Sequence, residues 1–452
     1  MRTIFIPIYD GMISKNILRT DVFEILRKRD DLRIVLIVDP SKKETYQKEF
    51  NGPRIAIESP IKFQHKGFER AWVRFLAQIP RTQTIKLLIT GSPLSPKKSF
   101  LKKFGLTLVS FIFDHKICRV ILRKIDRLVF SGWQLAPLFE KYKPALVFAP
   151  NVFAVPDVWA LKQAQKRGIK NIGMIKSWDN PTSKGLFRVH PDKLIVHNHI
   201  LENETAGIDD YPKERIFTSG IPQYDIYFRS FSLQKRENFW KKYGIDPNKK
   251  IILYLEPGLI LAPHGEEIWQ IMNEFLEKNK IKFPAEIFVS IHPAYSAKEE
   301  ILKKLKHIKF VRLGEYANSG TKSWEFSNDD MLELMYAVKF SDLVINIGST
   351  MNIEAAILDK PIINIAFDGF KKQDYGKSVR QYYDFNHLKN IIKTGGVKVA
   401  RSQEELLEQI NKLLIDPSIG REGRKRITQE QCVFTDGESG KRLGEYILEV
   451  LK

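Results

Sequence analysis

Short apolar runs alternate with amphipathic helical patterns along most of the chain, in two series separated by a polar stretch. The first series opens with "RTIFIPIYD" at 2–10, and the second opens with "KIILYLEPG" at 250–258. Strands that alternate with helices form parallel sheets with right-handed crossovers. The chain of 452 residues is also too long for one ordinary core. The sequence therefore predicts an α/β protein with two doubly wound, Rossmann-like parallel-sheet domains.

The polar stretch between the two series sets the predicted domain boundaries. It is rich in charged residues and ends in "GIDPNKK". We predict an N-terminal domain at 1–225, a linker at 226–249, a C-terminal domain at 250–432 and a terminal helix within 433–452. In open parallel sheets, ligands bind beyond the carboxyl ends of the strands. Two such domains are expected to face each other across a cleft that holds the site.

The loop after the strand "DLVINI" gives the clearest binding signal in the second domain. Gly348 permits a tight turn, and Ser349 and Thr350 can cap the next helix, where free N–H groups favour an anion. Glu354 lies one helical turn after Thr350 and can accept hydrogen bonds from ribose hydroxyl groups. A plain helix cap followed by a dipole-complementing acid fits the same residues. We favour a binding site for a nucleotide diphosphate.

Two other loops of the second domain give weaker signals. His292 ends a predicted strand and can donate a ring N–H to a phosphate oxygen, while Pro293 stops the strand. A surface histidine before a proline is the alternative interpretation. Gly258 belongs to the loop after the first strand of this domain, and that loop can lie over a nucleotide or touch the acceptor.

Carboxylates follow two predicted strands of the first domain. Asp10 ends the first strand, and Asp179 follows "NIGMIKSW" together with Asn180 and Lys184. A carboxylate at a strand end can remove a proton from a hydroxyl group, and a lysine can offset phosphate charge. An Asx turn ahead of Pro181 is the alternative interpretation of Asp179. We predict Asp179 as the general base and Asp10 as its competitor.

Residues 61–142 interrupt the alternation of strands and helices with aromatic and aliphatic residues placed among basic ones. The basic residues are Lys97, Lys98, Lys102, Lys103, Arg119, Arg123, Lys124 and Arg127. A formal net charge of +20 also favours an acidic partner. The segment resembles a basic amphipathic surface that rests on anionic lipid. An ordinary helix pair that covers the first sheet is the alternative interpretation.

Taken in order, these motifs resemble the GT-B glycosyltransferases, and among them the CDP-glycerol glycerophosphotransferases of teichoic-acid synthesis and related surface-polysaccharide transferases. "SWDNPTSK" occupies the place of that family's "WHG-T-P-x-K", and the "HP" and "GST" loops follow. The tail "TDGESGKRLGEYI" supplies Asp436, Gly437 and Arg442. The resemblance implies a GT-B fold, a donor nucleotide held by the second domain, and a C-terminal helix that crosses back to the first.

One departure from the family pattern affects the predicted substrate. Asp179 stands where the family has a catalytic histidine. A carboxylate is the usual base of inverting sugar transferases, so the departure favours a nucleotide-sugar donor over CDP-glycerol. The acceptor is then expected to be a glycan or a lipid-linked molecule in bacterial-type surface-polymer synthesis. We predict neither a metal nor another cofactor, because helix N-termini and His292 can offset the leaving-group charge.

Three alternatives remain open from the sequence. They are a CDP-glycerol-type glycerophosphotransferase, a UDP-sugar 2-epimerase on the same architecture, and a basic nucleic-acid-binding protein. No nucleic-acid recognition motif is found, so no nucleic-acid partner is predicted. Two cysteines, Cys118 and Cys432, fit a reducing cytoplasm. With the basic segment, they predict a cytoplasmic protein at the inner face of the membrane.

Overall fold

The fold is taken from a computed structural model. It describes residues 1–60, 67–92, 94, 99–229, 234–258, 261–292, 299–316 and 324–452. Three residues named above, Lys97, Lys98 and Pro293, lie outside these ranges.

The first sheet is built from the N-terminal half of the chain. Its strands are β1 (Arg2–Ile8), β2 (Leu32–Val38), β3 (Ile55–Glu58), β4 (Leu146–Ala149), β5 (Lys170–Met174), β6 (Lys193–Val196) and β7 (Ile216–Thr218). They are parallel and lie in the order β3-β2-β1-β4-β5-β6-β7. The order reverses between β1 and β4, so these two strand ends flank a crevice at the edge of the sheet.

The second sheet repeats this arrangement in the C-terminal half. The strands there are β8 (Lys250–Leu255), β9 (Ala285–Ile291), β10 (Ile308–Arg312), β11 (Glu315–Tyr316), β12 (Trp324–Glu325), β13 (Leu343–Asn346), β14 (Ile362–Ile365) and β15 (Lys398–Ala400). The parallel sheet has the order β10-β9-β8-β13-β14-β15. β11 and β12 form a separate antiparallel pair. The order reverses between β8 and β13, whose ends flank the second crevice.

Helices connect the strands and cover both sheets. They are α1 (Gly11–Ile13), α2 (Asp21–Arg27), α3 (Lys43–Glu49), α4 (Gly67–Leu76), α5 (Gln83–Thr90), α6 (Phe100–Phe113), α7 (Lys116–Val129), α8 (Ala136–Tyr142), α9 (Val155–Lys166), α10 (Asn180–Ser183), α11 (His199–Asp209), α12 (Asp225–Phe228), α13 (Arg236–Lys242), α14 (Gly265–Glu277), α15 (Glu299–Leu302), α16 (Asn328–Phe340), α17 (Met351–Ile357), α18 (Asn386–Ile392), α19 (Gln403–Ile415), α20 (Arg421–Cys432) and α21 (Ser439–Leu451).

Each sheet is buried on both faces, which explains the continuous apolar runs in the sequence. Along β1, Ile4 and Ile6 pack into one core cluster, while Phe5 packs into the cluster on the opposite face. Along β8, Tyr254 and Leu253 divide in the same way between two clusters. Parallel strands covered by helices on both sides require apolar residues at every position, not at alternate ones.

The C-terminal helix α21 crosses back and completes the core of the first sheet. Leu443, Ile447 and Leu451 are buried in the same cluster as the residues of β1, β2 and α2. Gly444 allows close packing, because a Cβ atom there would lie 3.1 Å from Cβ of Ile25. The predicted GT-B architecture, including the returning helix, is confirmed.

Side chains from the tail motif and from the end of the first series hold the start of α21. The Asp225 carboxylate accepts hydrogen bonds from the backbone N–H groups of Ser439, at 3.0 Å, and Gly440, at 2.7 Å. Arg442 donates to the carboxylate of Asp436 at 2.6 Å. These contacts give the tail residues a structural role in joining the last helix to the residues just before the linker.

Candidate active site

A cavity of about 120 Å³ lies where the carboxyl ends of β8, β9 and β13 meet. The residues predicted from separate loops meet in its wall, namely His292, Ser349, Thr350 and Glu354. The first domain contributes Met12 and Lys15, which follow the end of β1. The cavity therefore lies between the two domains, at the edge of each sheet where the strand order predicts a ligand.

A network of buried amides supports the loop after β13. Asn346, Asn352 and Asn364 hydrogen-bond to one another at 2.8 to 3.0 Å. Oδ1 of Asn346 also accepts the backbone N–H of Ser349 at 3.0 Å. Because buried amides are costly unless they are paired, this network fixes the loop against the ends of β13 and β14.

The same loop caps α17 differently from the sequence prediction. The hydroxyl of Ser349 accepts the backbone N–H of Met351 at 3.2 Å, as expected. Thr350 takes the N-cap position but makes no capping hydrogen bond, so that part of the prediction is wrong. Its backbone is already helical, and a cap side chain reaches the helix N–H groups from an extended backbone. A glycine is required at position 348 for two reasons. Its φ is +55°, and a Cβ atom there would lie 2.7 Å from the side chain of Leu388.

Glu354 is buried and faces the cavity from the first turn of α17. One carboxylate oxygen accepts a hydrogen bond from the hydroxyl of Tyr227 at 2.9 Å. The other lies 3.8 Å from Nζ of Lys15, which comes from the first domain. These contacts hold the carboxylate in place at the cavity wall, as a residue that binds ribose hydroxyl groups requires.

His292 ends β9 beside the cavity. Burial and then the charge of Arg312 lower the pKa of His292 to about 4. The ring is therefore neutral near pH 7 and has one N–H to donate. Trp324 lies edge-on to it with ring centroids 6.1 Å apart. Gly258, also predicted for this site, has a φ of +89° and directly follows Pro257, which lines the cavity.

Asp10 follows β1 and stands two residues before Met12, which lines the cavity. One carboxylate oxygen caps α1 by accepting the Ile13 N–H at 2.9 Å, and the other is 3.0 Å from Nζ of Lys176. Gly11 packs on the backbone of the second domain, because a Cβ there would lie 2.2 Å from the Trp324 carbonyl oxygen. Lys176 was missed in the sequence, although it stands two residues after β5 in the stretch that contains Asp179.

Asp179 is held by its own segment and by α18 of the second domain. It accepts a hydrogen bond from the Ser183 hydroxyl at 2.8 Å and lies 3.9 Å from Nζ of Lys184. Burial raises the pKa of Asp179, but Lys184, His387 and neighbouring hydroxyls outweigh it and hold the pKa well below its usual range. Asn180 donates to Asp179 at 3.2 Å. The role of Asp179 as base stays a prediction.

A buried ion pair joins the two domains near the cavity. Lys42, after β2, pairs with Glu325 of β12, and the hydroxyl of Tyr46 donates to the same carboxylate oxygen. Lys42 and Glu325 are both buried. Since Trp324 and Phe326 on either side of Glu325 line the cavity, this contact fixes the β12 wall against the first domain.

The helices α6 and α7 expose apolar side chains that soluble helices normally bury. The large exposed residues of this face are Phe100, Leu101, Phe104, Leu108, Phe111, Ile112, Ile117, Val120, Ile121, Ile125, Leu128 and Val129, and Trp133 follows α7. Leu101 and Leu128 are each 80% exposed. We call this surface the α6–α7 face. Lys102, Lys116, Lys124 and Arg127 are exposed beside it.

Two arginines predicted to belong to the basic surface point inward instead. Arg119 pairs with Asp114 and with Asp210, and the Asp210 pairing is bidentate at 2.7 and 2.8 Å. Arg123 donates to the backbone carbonyl groups of Phe187 and Asp209. The prediction was wrong for both residues because, apart from Asp114, their acidic and carbonyl partners lie at the end of α11 and in the segment before β6, far away in the sequence.

Two absences among the described residues concern the predicted surroundings of the site. No helix within them is long and apolar enough to cross a membrane. The same part of the chain contains no group of three or more His, Cys, Asp or Glu side chains placed to hold a metal ion. Metal independence stays a prediction.

Two doubly wound domains with a cavity between their strand ends define a GT-B protein, and solved structures agree. The S. aureus MnaA–UDP co-structure is 12% identical, with 100% of this chain and 98% of that chain covered and a TM-score of 0.55. UDP-GlcNAc 2-epimerase from Neisseria meningitidis bound to UDP-GlcNAc is 12% identical, with 100% of this chain and 99% of that chain covered and a TM-score of 0.54. A glycosyltransferase from Rickettsia africae is 11% identical, covers 99% of both chains, and has a TM-score of 0.51.

The family follows from the sequence itself. The profile of the CDP-Glycerol:Poly(glycerophosphate) glycerophosphotransferase family matches residues 180–449, so the chain belongs to this family and the predicted resemblance is confirmed. A teichoic acid glycerol-phosphate primase from Bacillus spizizenii is 23% identical over 278 residues. That match covers 60% of this chain and 65% of the relative, slightly less than two thirds of its length. The family match begins one residue after Asp179.

Proposed function

We propose that this protein transfers a phosphopolyol or sugar unit from a nucleotide diphosphate donor to a cell-surface polymer or its lipid-linked precursor. The cavity between the domains carries the proposal, because it brings together His292, Ser349 and Glu354 from three separate loops. Family membership supports a transferase, and the family's description names CDP-glycerol. CDP-glycerol is therefore the first donor to test. A nucleotide sugar is the second, since the sequence resemblance implies that Asp179 stands where the family has a histidine.

The second domain would hold the donor in this proposal. Glu354 has a fixed carboxylate at the cavity wall and would accept hydrogen bonds from the ribose hydroxyl groups. His292 is neutral near pH 7 and would donate its ring N–H to a diphosphate oxygen, which offsets charge on the leaving group. Lys15 would bring a positive charge from the first domain when the cleft is closed. This assignment uses no metal or other cofactor.

The first domain would supply the base. A base has to reach the acceptor hydroxyl beside the donor. Neither Asp10 nor any described residue of 176–185 lines the cavity itself, but Met12 and Lys15, which follow Asp10 closely, do. Asp179 also has a lowered pKa, which makes it a weak proton acceptor. We therefore propose Asp10 as the base, oriented by Lys176, and keep Asp179 as the competing candidate.

The α6–α7 face would bring the protein to the membrane that carries the acceptor. Many large apolar side chains are exposed there, and contiguous apolar patches of this kind mark interaction surfaces. The exposed lysines and Arg127 beside the patch fit anionic headgroups. An interfacial helix pair with apolar residues toward the acyl chains and cations at the headgroups satisfies both features. We propose an anionic membrane surface as the partner of this face.

Donor binding tests the proposed site directly. Calorimetric titration with CDP-glycerol, and in parallel with UDP-GlcNAc, should show binding by the unmodified protein without added metal and in the presence of EDTA. Glu354→Gln should weaken this binding about tenfold or more, because a charge-assisted hydrogen bond is lost. The matched control is Glu286→Gln, at the opposite end of β9, which should bind normally. Failure of every donor to bind, or full affinity in Glu354→Gln, would contradict the proposal.

A further inference from the structure

Glu256 is a buried carboxyl group in the cavity wall that pairs with no described side chain. It follows β8 directly, the residue lines the cavity, and it is only 3% exposed. Within the described residues neither carboxyl oxygen pairs with another side chain, and only the backbone amides of Gly258 and His292 are near enough to act on its pKa as hydrogen-bond donors. Its backbone N–H is satisfied by the carbonyl group of Ser290 at 3.0 Å, so the lack of partners concerns the side chain alone. Buried carboxyl groups are normally paired because an unpaired one costs free energy.

The described surroundings of Glu256 supply backbone amides but no side-chain partner. Oε1 would lie 3.5 Å from a Cβ atom placed on Gly265, at the start of α14, so the side chain extends beneath that helix. The charged or titratable side chains on the surrounding elements are Tyr254, Lys15, Glu266, Glu267, His292, Arg312 and Glu354. Among these, Arg312 is engaged by Glu299 and Lys15 faces Glu354. No described cation pairs with Glu256.

The protonation of Glu256 is sensitive to pH near neutrality. Burial raises the pKa of Glu256 to about 7, while the amides of Gly258 and His292 and the charge of Arg312 act in the opposite direction. His292 does not titrate in the same range, since its pKa is lowered to about 4. A ligand that binds the ionised carboxylate must therefore bind better as the pH rises through about 7.

The chemistry of a carboxylate limits what can bind to it. An ionised carboxylate only accepts hydrogen bonds, and it repels phosphate oxygens. Hydroxyl groups of a ligand can donate to both oxygens at once. A nucleotide-activated polyol or sugar carries such groups on its ribose and on the transferred unit, and both lie within a few bonds of the diphosphate.

We propose that Glu256 is a donor-binding residue that accepts hydrogen bonds from hydroxyl groups of the nucleotide-activated substrate. The inference rests on the proposed function and adds a second carboxylate to the donor site. Glu256 was not predicted from the sequence, and it follows β8 next to His292 at the end of the neighbouring strand β9. The two sources of hydroxyl groups, the ribose and the transferred unit, are distinguished by experiment.

The test compares the unmodified protein with Glu256→Gln in calorimetric titrations with CDP-glycerol. At pH 8 the variant should bind about 10- to 100-fold more weakly, as expected when a charged acceptor is lost. Between pH 6 and pH 8 the affinity of the unmodified protein should rise about tenfold, following ionisation of a group with a pKa near 7. The variant should show no such rise. The diphosphate diester of CDP-glycerol does not ionise in this range.

A matched control separates this effect from a general loss of buried charge. Burial raises the pKa of Glu204, on α11, to about 7 as well, but Glu204 does not line the cavity. Glu204→Gln should keep both the affinity and its pH dependence. The thermal unfolding temperature of Glu256→Gln should be at least as high as that of the unmodified protein, because a buried carboxyl group with no side-chain partner has been removed.

CDP at pH 8 then identifies the source of the hydroxyl groups. If Glu256→Gln loses affinity for CDP and for CDP-glycerol to a similar degree, Glu256 binds the ribose hydroxyl groups. If it loses affinity for CDP-glycerol alone, Glu256 binds the glycerol hydroxyl groups. Unchanged affinity in Glu256→Gln, with Glu354→Gln weakened, overturns the inference and leaves the proposed function standing. Affinity that falls as the pH rises also overturns it. If the unmodified protein binds no donor, the proposed function and this inference fail together.

Discussion

Asp10 and Asp179 follow strands of the same sheet but have different surroundings. Asp10 contacts Lys176 and caps α1. Met12 within α1 and Lys15 just after it line the cavity. Asp179 accepts a hydrogen bond from the Ser183 hydroxyl and lies near the charge of Lys184 and the His387 ring. Both carboxylates are partly satisfied, so the position of the acceptor hydroxyl decides which of them can act as the base.

Substitution by asparagine separates the two carboxylates, since it keeps the shape and removes the proton acceptor. We expect Asp10→Asn to lower kcat by about 10² to 10⁴, the usual contribution of a positioned base. Asp179→Asn should lower kcat by less than tenfold. Steady-state transfer from CDP-glycerol to an acceptor, with donor affinity measured in parallel, checks both. A large loss of kcat in Asp179→Asn alone would restore the base predicted from the sequence.

The sequence predicted most of the polar residues at the strand ends, because the end of a parallel strand can be recognised locally. It missed Lys15, Lys176 and Glu256. Lys15 belongs to a helical turn after β1, and its partner Glu354 is in the other domain. Glu256 differs from an exposed acid only through its burial. Pairings across a cleft and the solvation of a side chain depend on the tertiary structure and leave no local signal.

At the scale of elements, α7 has the reverse of the usual helix pattern. Its inward side carries Arg119 and Asp126, and its outward side carries Ile117, Ile121 and Leu128. Asp126 accepts hydrogen bonds from Trp72 and from Arg188 at 2.7 and 2.9 Å, and it pairs with Lys162. The sequence showed the amphipathic pattern but not its orientation, because the partners of the charged side come from α4, α9 and the segment before β6.

Membrane binding through this face should need both apolar contact and charge. The double variant Leu101→Asp and Leu128→Asp should lose most of its binding to vesicles that contain anionic lipid. Binding of the unmodified protein should fall as salt rises, since attraction of about 1 kcal/mol per basic residue is screened. The control is Ile415→Asp, a residue 60% exposed on α19. Co-sedimentation with vesicles measures each case, and equal binding by all three proteins would refute the proposal.

At the scale of the whole molecule, the two domains are joined at more than the linker. The Lys42–Glu325 pair closes one side of the cleft, and α21 attaches the end of the second series to the first sheet. The sequence predicted two domains and a returning helix, the latter from its resemblance to GT-B transferases. It did not predict the buried ion pair, because neither partner belongs to a recognisable motif.

The packing of α21 should make the first domain depend on it. Ile447→Ala should lower the free energy of unfolding by about 2 to 5 kcal/mol, the usual cost of this truncation in a core. Glu445→Ala, on the exposed side of the same helix, should change it by less than about 0.5 kcal/mol. Urea denaturation followed by tryptophan fluorescence measures both. Equal stability of the two variants would show that α21 does not complete the core.

The returning helix also governs the order in which the chain can fold during its synthesis. The strands β1 and β2 leave the ribosome early, but the apolar surface that α21 covers stays open until Leu443, Ile447 and Leu451 have been made. At about 5 to 20 residues per second, the delay between α2 and α21 is roughly 20 to 80 s. During that time the growing chain exposes part of its first core. Protection by chaperones is therefore needed most before the last helix appears.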